Sequence, residues 1–183
     1  RVRAEQSKLV TPAKTQTALL EHAVELLNRA EHFQSAGAPR ALYEDRSNYR
    51  RLLGDTAGAD ADWTHAEATP IRTARDHYLR ATALAADKRF DEATRELEAA
   101  IRLDPRHFWA HFELGICHYQ RGRYSEAIGA YSVCVALWDQ CAWTYLNRGL
   151  AHSRRDRWDS AIADYSQALQ IDSGFADAYV NRG

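Results

Sequence analysis

Apolar residues along this chain return every three or four positions, the spacing that gathers them on one face of a helix. Residues 15–36 give the first clear stripe, with Leu19, Leu20, Ala23, Leu27 and Ala30 on one side. Further on, apolar stretches are interrupted by polar turns, such as Ala86-Asp87-Lys88-Arg89-Phe90, Arg121-Gly122-Arg123-Tyr124 and Arg155-Asp156-Arg157-Trp158. This pattern predicts short antiparallel helices throughout, an all-α chain.

The stretches are copies of one another. Trp109 aligns with Trp143, Gly115 with Gly149 and Gly183, His118 with His152, Ala127 with Ala161 and Tyr131 with Tyr165, each a step of 34 residues. One step earlier, Ala81, Ala93 and Leu97 stand where Gly115, Ala127 and Tyr131 stand later. A further step back reaches Ala59 and Trp63. A fixed period of this length marks a helical-repeat array, and recurrence in phase is more specific than any single match. The small residues are expected where paired helices approach closest, because a larger side chain would overpack the crossing. The Leu or Tyr four residues after each second-helix Ala lies one turn along the same face, so it is expected to fill the layer between repeats. Phe90, Tyr124 and Trp158 are also periodic and are expected to seal the base of each hairpin.

The repeat resembles the tetratricopeptide repeat, whose signature runs from a large residue through Leu-Gly, an aromatic and Ala-x3-Phe to a closing Pro. Residues 108–141 carry it as Leu114-Gly115, Tyr119, Ala127, Tyr131 and Cys134, with Asp139 in the place of Pro. Residues 142–175 carry Tyr145, Gly149, Ala161, Tyr165 and Ala168, with Ser173 in that place. Residues 74–107 match through Ala81, Ala93, Leu97, Ala100 and Pro105; residues 40–73, a degenerate copy, match through Tyr43, Ala59, Trp63, Ala66 and Pro70. Residues 176–183 open a further, truncated repeat. The step from Ala23 to Ala59 is 36, so about two residues are added near Gly37-Ala38-Pro39. Residues 15–39 are therefore read as a capping helix or half-repeat, and residues 1–14 as a linker. The resemblance implies a right-handed superhelical solenoid of antiparallel helix pairs.

Charge narrows the partners. The formal net charge is −1. Residues 1–73 hold ten basic and ten acidic side chains and residues 74–183 hold fourteen and fifteen, so neither part offers the basic stripe of a nucleic-acid binder. The same balance disfavours an anionic membrane surface, and no apolar run approaches a membrane span. The N-terminus lacks the apolar core of a signal peptide. A start at Arg1 and the absence of Met read as a segment cut from a longer protein. Cys117, Cys134 and Cys141 form no C-x-x-C pair; they read as small buried hydrophobes in a reducing cytoplasm. An excess of Arg over Lys, 21 to 3, reads as a GC-rich bacterial genome.

No chemistry-bearing motif stands out: there is no Gly-rich phosphate loop, no G-x-S-x-G and no H-E-x-x-H. No catalytic residue, metal site or cofactor is expected. His107 and His111 are four apart, but no third ligand completes a metal set. His118 and His152 occupy equivalent, aromatic-like packing positions. Asp87, Asp91, Asp156 and Asp159 are expected to cap helices or face their dipoles.

What the resemblance implies is a concave groove lined by the first helix of each pair. On this chain the lining would be Arg75, Tyr78 and Thr82, then Trp109, Phe112, Ile116 and Tyr119. Next come Trp143, Leu146, Asn147, Leu150 and Arg154, and finally Asn181. Two tryptophans one repeat apart would form an aromatic ledge, and Trp is enriched at binding hot spots; the alternative is that both pack on the preceding repeat. Trp109, Phe112, Trp143 and Leu146 would bury a ligand. Asn147, Arg75 and Arg154 would orient it, and an inward Asn can pair with a peptide backbone. Chaperone-binding relatives clamp a carboxylate with Lys and Arg. Here the matching places hold Tyr78, Thr82, Glu113 and Trp143, so that clamp is absent. The expected function is a non-catalytic scaffold for a protein or peptide. One alternative is a docking region of a larger bacterial signalling enzyme, such as a serine/threonine kinase, whose arrays Phe108–Cys117 and Tyr145–Gly149 resemble. Another is self-assembly through the uncapped helix that opens at residue 176.

Overall fold

The protein is described here by a computed structural model over residues 12–34 and 37–182. Residues 1–11 of the expected linker, and Gly183, lie outside the described residues. Among the described residues all regular structure is helical. The helices are α1 (Pro12–Phe33), α2 (Arg40–Leu52), α3 (Thr56–Ala68), α4 (Ala74–Ala86) and α5 (Phe90–Leu103). They continue with α6 (Phe108–Gln120), α7 (Tyr124–Leu137), α8 (Ala142–Ser153), α9 (Trp158–Ile171) and α10 (Ala176–Arg182). The chain is thus all-α, and α1 begins inside the segment expected to be linker. The starts of α2, α4, α6, α8 and α10 are spaced by the 34-residue period. The chain divides into two compact units, Arg1–Arg72 and Thr73–Gly183.

The first unit is pinned by a buried cation. Arg46 of α2 is 5% exposed, and a charge taken out of water must be paired. Its guanidinium reaches Asp62 of α3 at 2.6 Å and, on α1, Asn28 at 2.9 Å and Glu31 at 2.6 Å. Arg50 adds a second contact to Asp62 at 3.0 Å. One side chain thereby joins three helices. On α1, Leu20, Ala23, Leu27 and Ala30 are partly buried, whereas Leu19 is exposed and drops out of the expected stripe.

The second unit stacks three helix pairs and α10. Ala81, Ala93, Ala127 and Ala161 are at most 1% exposed. Gly115 and Gly149 lie under the rings of Tyr131 and Tyr165, which leave no room for a Cβ. Tyr131 also joins a cluster with Phe112 of α6 and Ala151 of α8, so it serves both its own pair and the next. The ion pair of the first unit recurs here one and three periods on: Arg80 reaches Glu96 at 3.3 Å, and Arg148 reaches Asp164 at 2.6 Å. In the pair between them, Leu114 and Ala130 take those places.

The hairpin turns share a backbone device. Gly54, Lys88, Gly122 and Asp156, spaced by the period, all have positive φ, from 57° to 84°. Around Gly122, Arg123 N–H bonds to His118 O and Gly122 N–H to Tyr119 O, each at 2.9 Å. Lys88–Arg89 and Asp156–Arg157 repeat that pair of bonds. This arrangement closes a helix C-terminus by satisfying its last carbonyls. Asp156 therefore shapes a turn, Asp87 ends α4, and α5 and α9 start without side-chain caps. Asp91 and Asp159 lie in first turns, where the dipole favours them. Phe90 and Tyr124 pack at the hairpin bases, Tyr124 against Tyr119 with ring centroids 5.3 Å apart. Trp158 does not seal its hairpin and is 58% exposed; the position equivalent to Tyr119 is Ser153, which offers no ring to pack on.

Candidate partner-binding face

Within the second unit, α6 lies against both α4 and α8 as well as its partner α7, so the first helices of the pairs run side by side. Their outward faces decide what can be bound. The thirteen expected lining residues divide into three groups.

Trp109 and Trp143 are 50% and 56% exposed. Each indole is steadied by neighbouring rings. Trp109 meets Phe108 and Phe112 edge-on, at 5.0 and 5.7 Å between centroids, and Trp143 meets Phe175 at 4.6 Å. These ring contacts leave about half of each side chain in solvent. Arg75, Arg154 and Asn181 are also exposed. Arg154 donates from Nε to Tyr119 Oη at 3.0 Å and lies over that ring, which ties α8 to α6 across the face.

Tyr78, Thr82, Ile116, Tyr119, Asn147 and Leu150 are half-buried. The Tyr78 ring packs on His107 with centroids 5.1 Å apart. Asn147 does not present a free amide: its Nδ2 donates to Trp143 O of its own helix at 2.8 Å, and Asn181 does the same to Asp177 O at 2.7 Å. Only the amide oxygen and one N–H remain for a ligand. Thr82 likewise donates to Leu79 O at 2.8 Å.

Phe112 and Leu146 do not join the exposed set. They are 9% and 4% exposed, Phe112 packed edge-on against Tyr131 and Leu146 in the cluster around Tyr165. Both are core residues here, because the neighbouring second helix covers that side of α6 and α8. They cannot serve as anchors without opening the core.

A further residue belongs to the face. Glu113 projects from α6 one turn after Trp109, half-buried, and burial pushes its carboxyl above the usual range. Tyr78 feels it: burial first, and then the Glu113 charge, raise the Tyr78 phenol. The sequence marks Glu113 only as a place where a cationic clamp is missing.

Two of the histidines are held by backbone groups, whereas Nδ1 of His118 and of His152 is buried without a hydrogen-bond partner. His107 caps α6, its Nδ1 accepting from Ala110 N–H at 3.2 Å, and His111 reaches Pro105 O at 3.1 Å. Among the described residues no three His, Cys, Asp or Glu side chains are grouped to hold a metal ion. Burial lifts the Cys117 thiol to about 11 and the Cys134 thiol to about 12, so neither supplies a thiolate near neutral pH. Among the described residues, no helix is long and apolar enough to cross a membrane.

Two tetratricopeptide repeat family models match the chain, one over residues 78–140 and one over residues 142–175, together more than half of its length. The chain belongs to the tetratricopeptide repeat family. Solved structures share the fold at low identity. YrrB, described as a tetratricopeptide repeat protein with an unusual peptide-binding site, is 18% identical with a TM-score of 0.63, covering 91% of this chain and 84% of its own. MamA is 18% identical with a TM-score of 0.62, over 90% and 95%. The first repeat domain of Spaghetti (RPAP3), solved with an HSP90 peptide, is 17% identical with a TM-score of 0.59, over 60% and 87%. No curated protein sequence matches the chain.

Proposed function

We infer that this chain is a non-catalytic scaffold that holds a peptide or helical segment of another protein on the outward faces of α4, α6 and α8. The observation that carries this reading is the pair Trp109 and Trp143, half-exposed at equivalent places on adjacent first helices. An exposed indole is a large apolar area left in water, and its burial by a partner is favourable. Peptide binding by similarly folded proteins supports the reading. The occupant differs in kind from the acidic HSP90 peptide, since Glu113 replaces a clamp cation and would repel it. No group on the face is set up as a nucleophile or as an acid–base pair. A location in the cytoplasm, and a role as the docking region of a larger bacterial enzyme, are compatible with this function.

The test is selection of linear peptides from a displayed random library. The chain is compared with its Trp109→Ala/Trp143→Ala form, whose helicity is checked by circular dichroism. Peptides kept by the parent and lost by the folded double variant support the face. Equal retention by both removes it. A second reading, self-association, draws on Tyr179 and Val180 of α10, 50% and 80% exposed. A concentration-independent monomer mass by light scattering would exclude it.

A further inference from the structure

The one acidic residue assigned to this face, Glu113, has no cationic partner. Among the described residues Glu113 makes no hydrogen bond and no ion pair. The cations around this face have other partners: Arg121 pairs with Asp91, Arg148 with Asp164 and Arg80 with Glu96, Arg154 donates to the Tyr119 hydroxyl, and Arg75, which acts on Tyr78, has an interaction of its own. Burial alone acts on the Glu113 carboxyl, with no cation close enough to offset it. The equivalent positions on α4, α8 and α10 hold Leu79, Asn147 and Asn181, all uncharged. A half-buried carboxylate without a partner is unfavourable for folding, and the repeat accepts neutral residues at that place. What Glu113 adds is a half-buried negative charge that acts on Tyr78 of α4 and on Cys117 and Tyr131 beneath it.

The face suits one kind of ligand. Trp109 stands one turn before Glu113 on the same face of α6, and Trp143 takes its place on α8. Both indoles are about half in solvent. Such rings attract cations over their faces and cover aliphatic stems. The Tyr78 hydroxyl on the neighbouring helix α4, on which the Glu113 charge acts, offers a further acceptor on this face. Building on the reading of this face as the partner-binding surface, we propose that it accepts an arginine or lysine side chain of an extended partner segment, paired with Glu113 and stacked against Trp109 and Trp143.

The test repeats the library selection on the parent chain, on Glu113→Gln and on Glu113→Lys. Each is checked by circular dichroism and urea unfolding. The parent is expected to enrich peptides with a basic residue at a fixed place. A selected peptide should bind Glu113→Gln about tenfold more weakly or worse, and replacing its basic residue by Ala should cause the same loss, without adding to it. Glu113→Lys should enrich an acidic residue at that place. Glu113→Gln should be at least as stable as the parent, since an unpaired charge is removed. Peptides that depend on the two tryptophans yet lack a basic residue, or that bind Glu113→Gln unchanged, overturn the cation site and leave the face standing. Peptides indifferent to the tryptophans overturn both. A loss of stability in Glu113→Gln overturns the proposal by assigning Glu113 a structural role.

Discussion

The helix crossings make a quantitative prediction. At Gly115 an added Cβ would stand 2.5 Å from Tyr131 Cε1, 2.7 Å from Cζ and 2.8 Å from Cδ1. Favourable carbon contacts lie near about 3.5–4.0 Å, so the ring must retreat by about 1 Å. It has nowhere to go: Tyr131 is 1% exposed and lies edge-on to Phe112. Overpacking of this kind costs about 1–3 kcal/mol. Against it stands the helix propensity of Ala over Gly, about 1 kcal/mol. Gly129 supplies the control, because it lies within α7 with nothing within 4 Å of its added Cβ. Gly129→Ala is expected to stabilise by up to about 1 kcal/mol. Gly115→Ala should fall below it by about 1–3 kcal/mol, read by urea unfolding followed by circular dichroism. The chain itself contains the compensated form, Ala81 facing Leu97. Gly115→Ala/Tyr131→Leu should therefore be more stable than the sum of its single changes, with a coupling of about 0.5–3 kcal/mol. Equal stabilisation by the two Ala substitutions, or strict additivity in the double variant, would refute the reasoning.

Other outcomes follow from the turns, the ion pairs and the histidines. Lys88→Gly and Asp156→Gly should each raise stability by up to about 1 kcal/mol, since they relieve a left-handed residue at a cost in chain entropy; an unchanged urea midpoint would contradict this. Asp62→Asn should cost about 3–5 kcal/mol by leaving Arg46 buried with too little negative charge, whereas Arg80→Met, at a side chain 55% exposed, should change the midpoint little. Burial holds His107, His118 and His152 below the ordinary histidine range. Because the fold favours their neutral form, they contribute no pH dependence well above about pH 6.5. As the pH falls through that value, the unfolded chain takes up protons that the fold resists, and stability declines. Unfolding midpoints measured down to about pH 5 should show that decline, and His118→Phe should reduce its slope.

The sequence speaks most clearly where packing dictates residue size. The small residues at Ala81, Gly115 and Gly149 and their large partners at Leu97, Tyr131 and Tyr165 leave a periodic trace, because each crossing has only so much room. The helical class follows from the same positions. The buried pair of Arg46 and Asp62 also leaves a trace, in Arg80 with Glu96 and Arg148 with Asp164. That series is broken by Leu114 and Ala130, and charges at helical spacing read as an ordinary solvated face. Side-chain orientation is the least legible feature. Phe112 and Leu146 lie at the margin between core and outward face, and which side wins depends on how closely the next helix approaches. The amide of Asn147 is spent on a carbonyl one turn back, a bond that residue type alone does not disclose. Trp109 and Trp143 remain the most readable part of the candidate face, since their exposure is large and their spacing is the repeat itself.

The central claim is that a partner segment lies against α6 and α8. The five tryptophans provide the most direct test, because each gives its own indole N–H signal in a proton–nitrogen NMR spectrum. The signals are assigned by single Trp→Phe variants, and a library-selected peptide is then titrated in. The account predicts that the Trp109 and Trp143 signals move together and saturate, while those of Trp63 and Trp158 stay in place. Movement of Trp63 or Trp158 with Trp109 and Trp143 unmoved would contradict it.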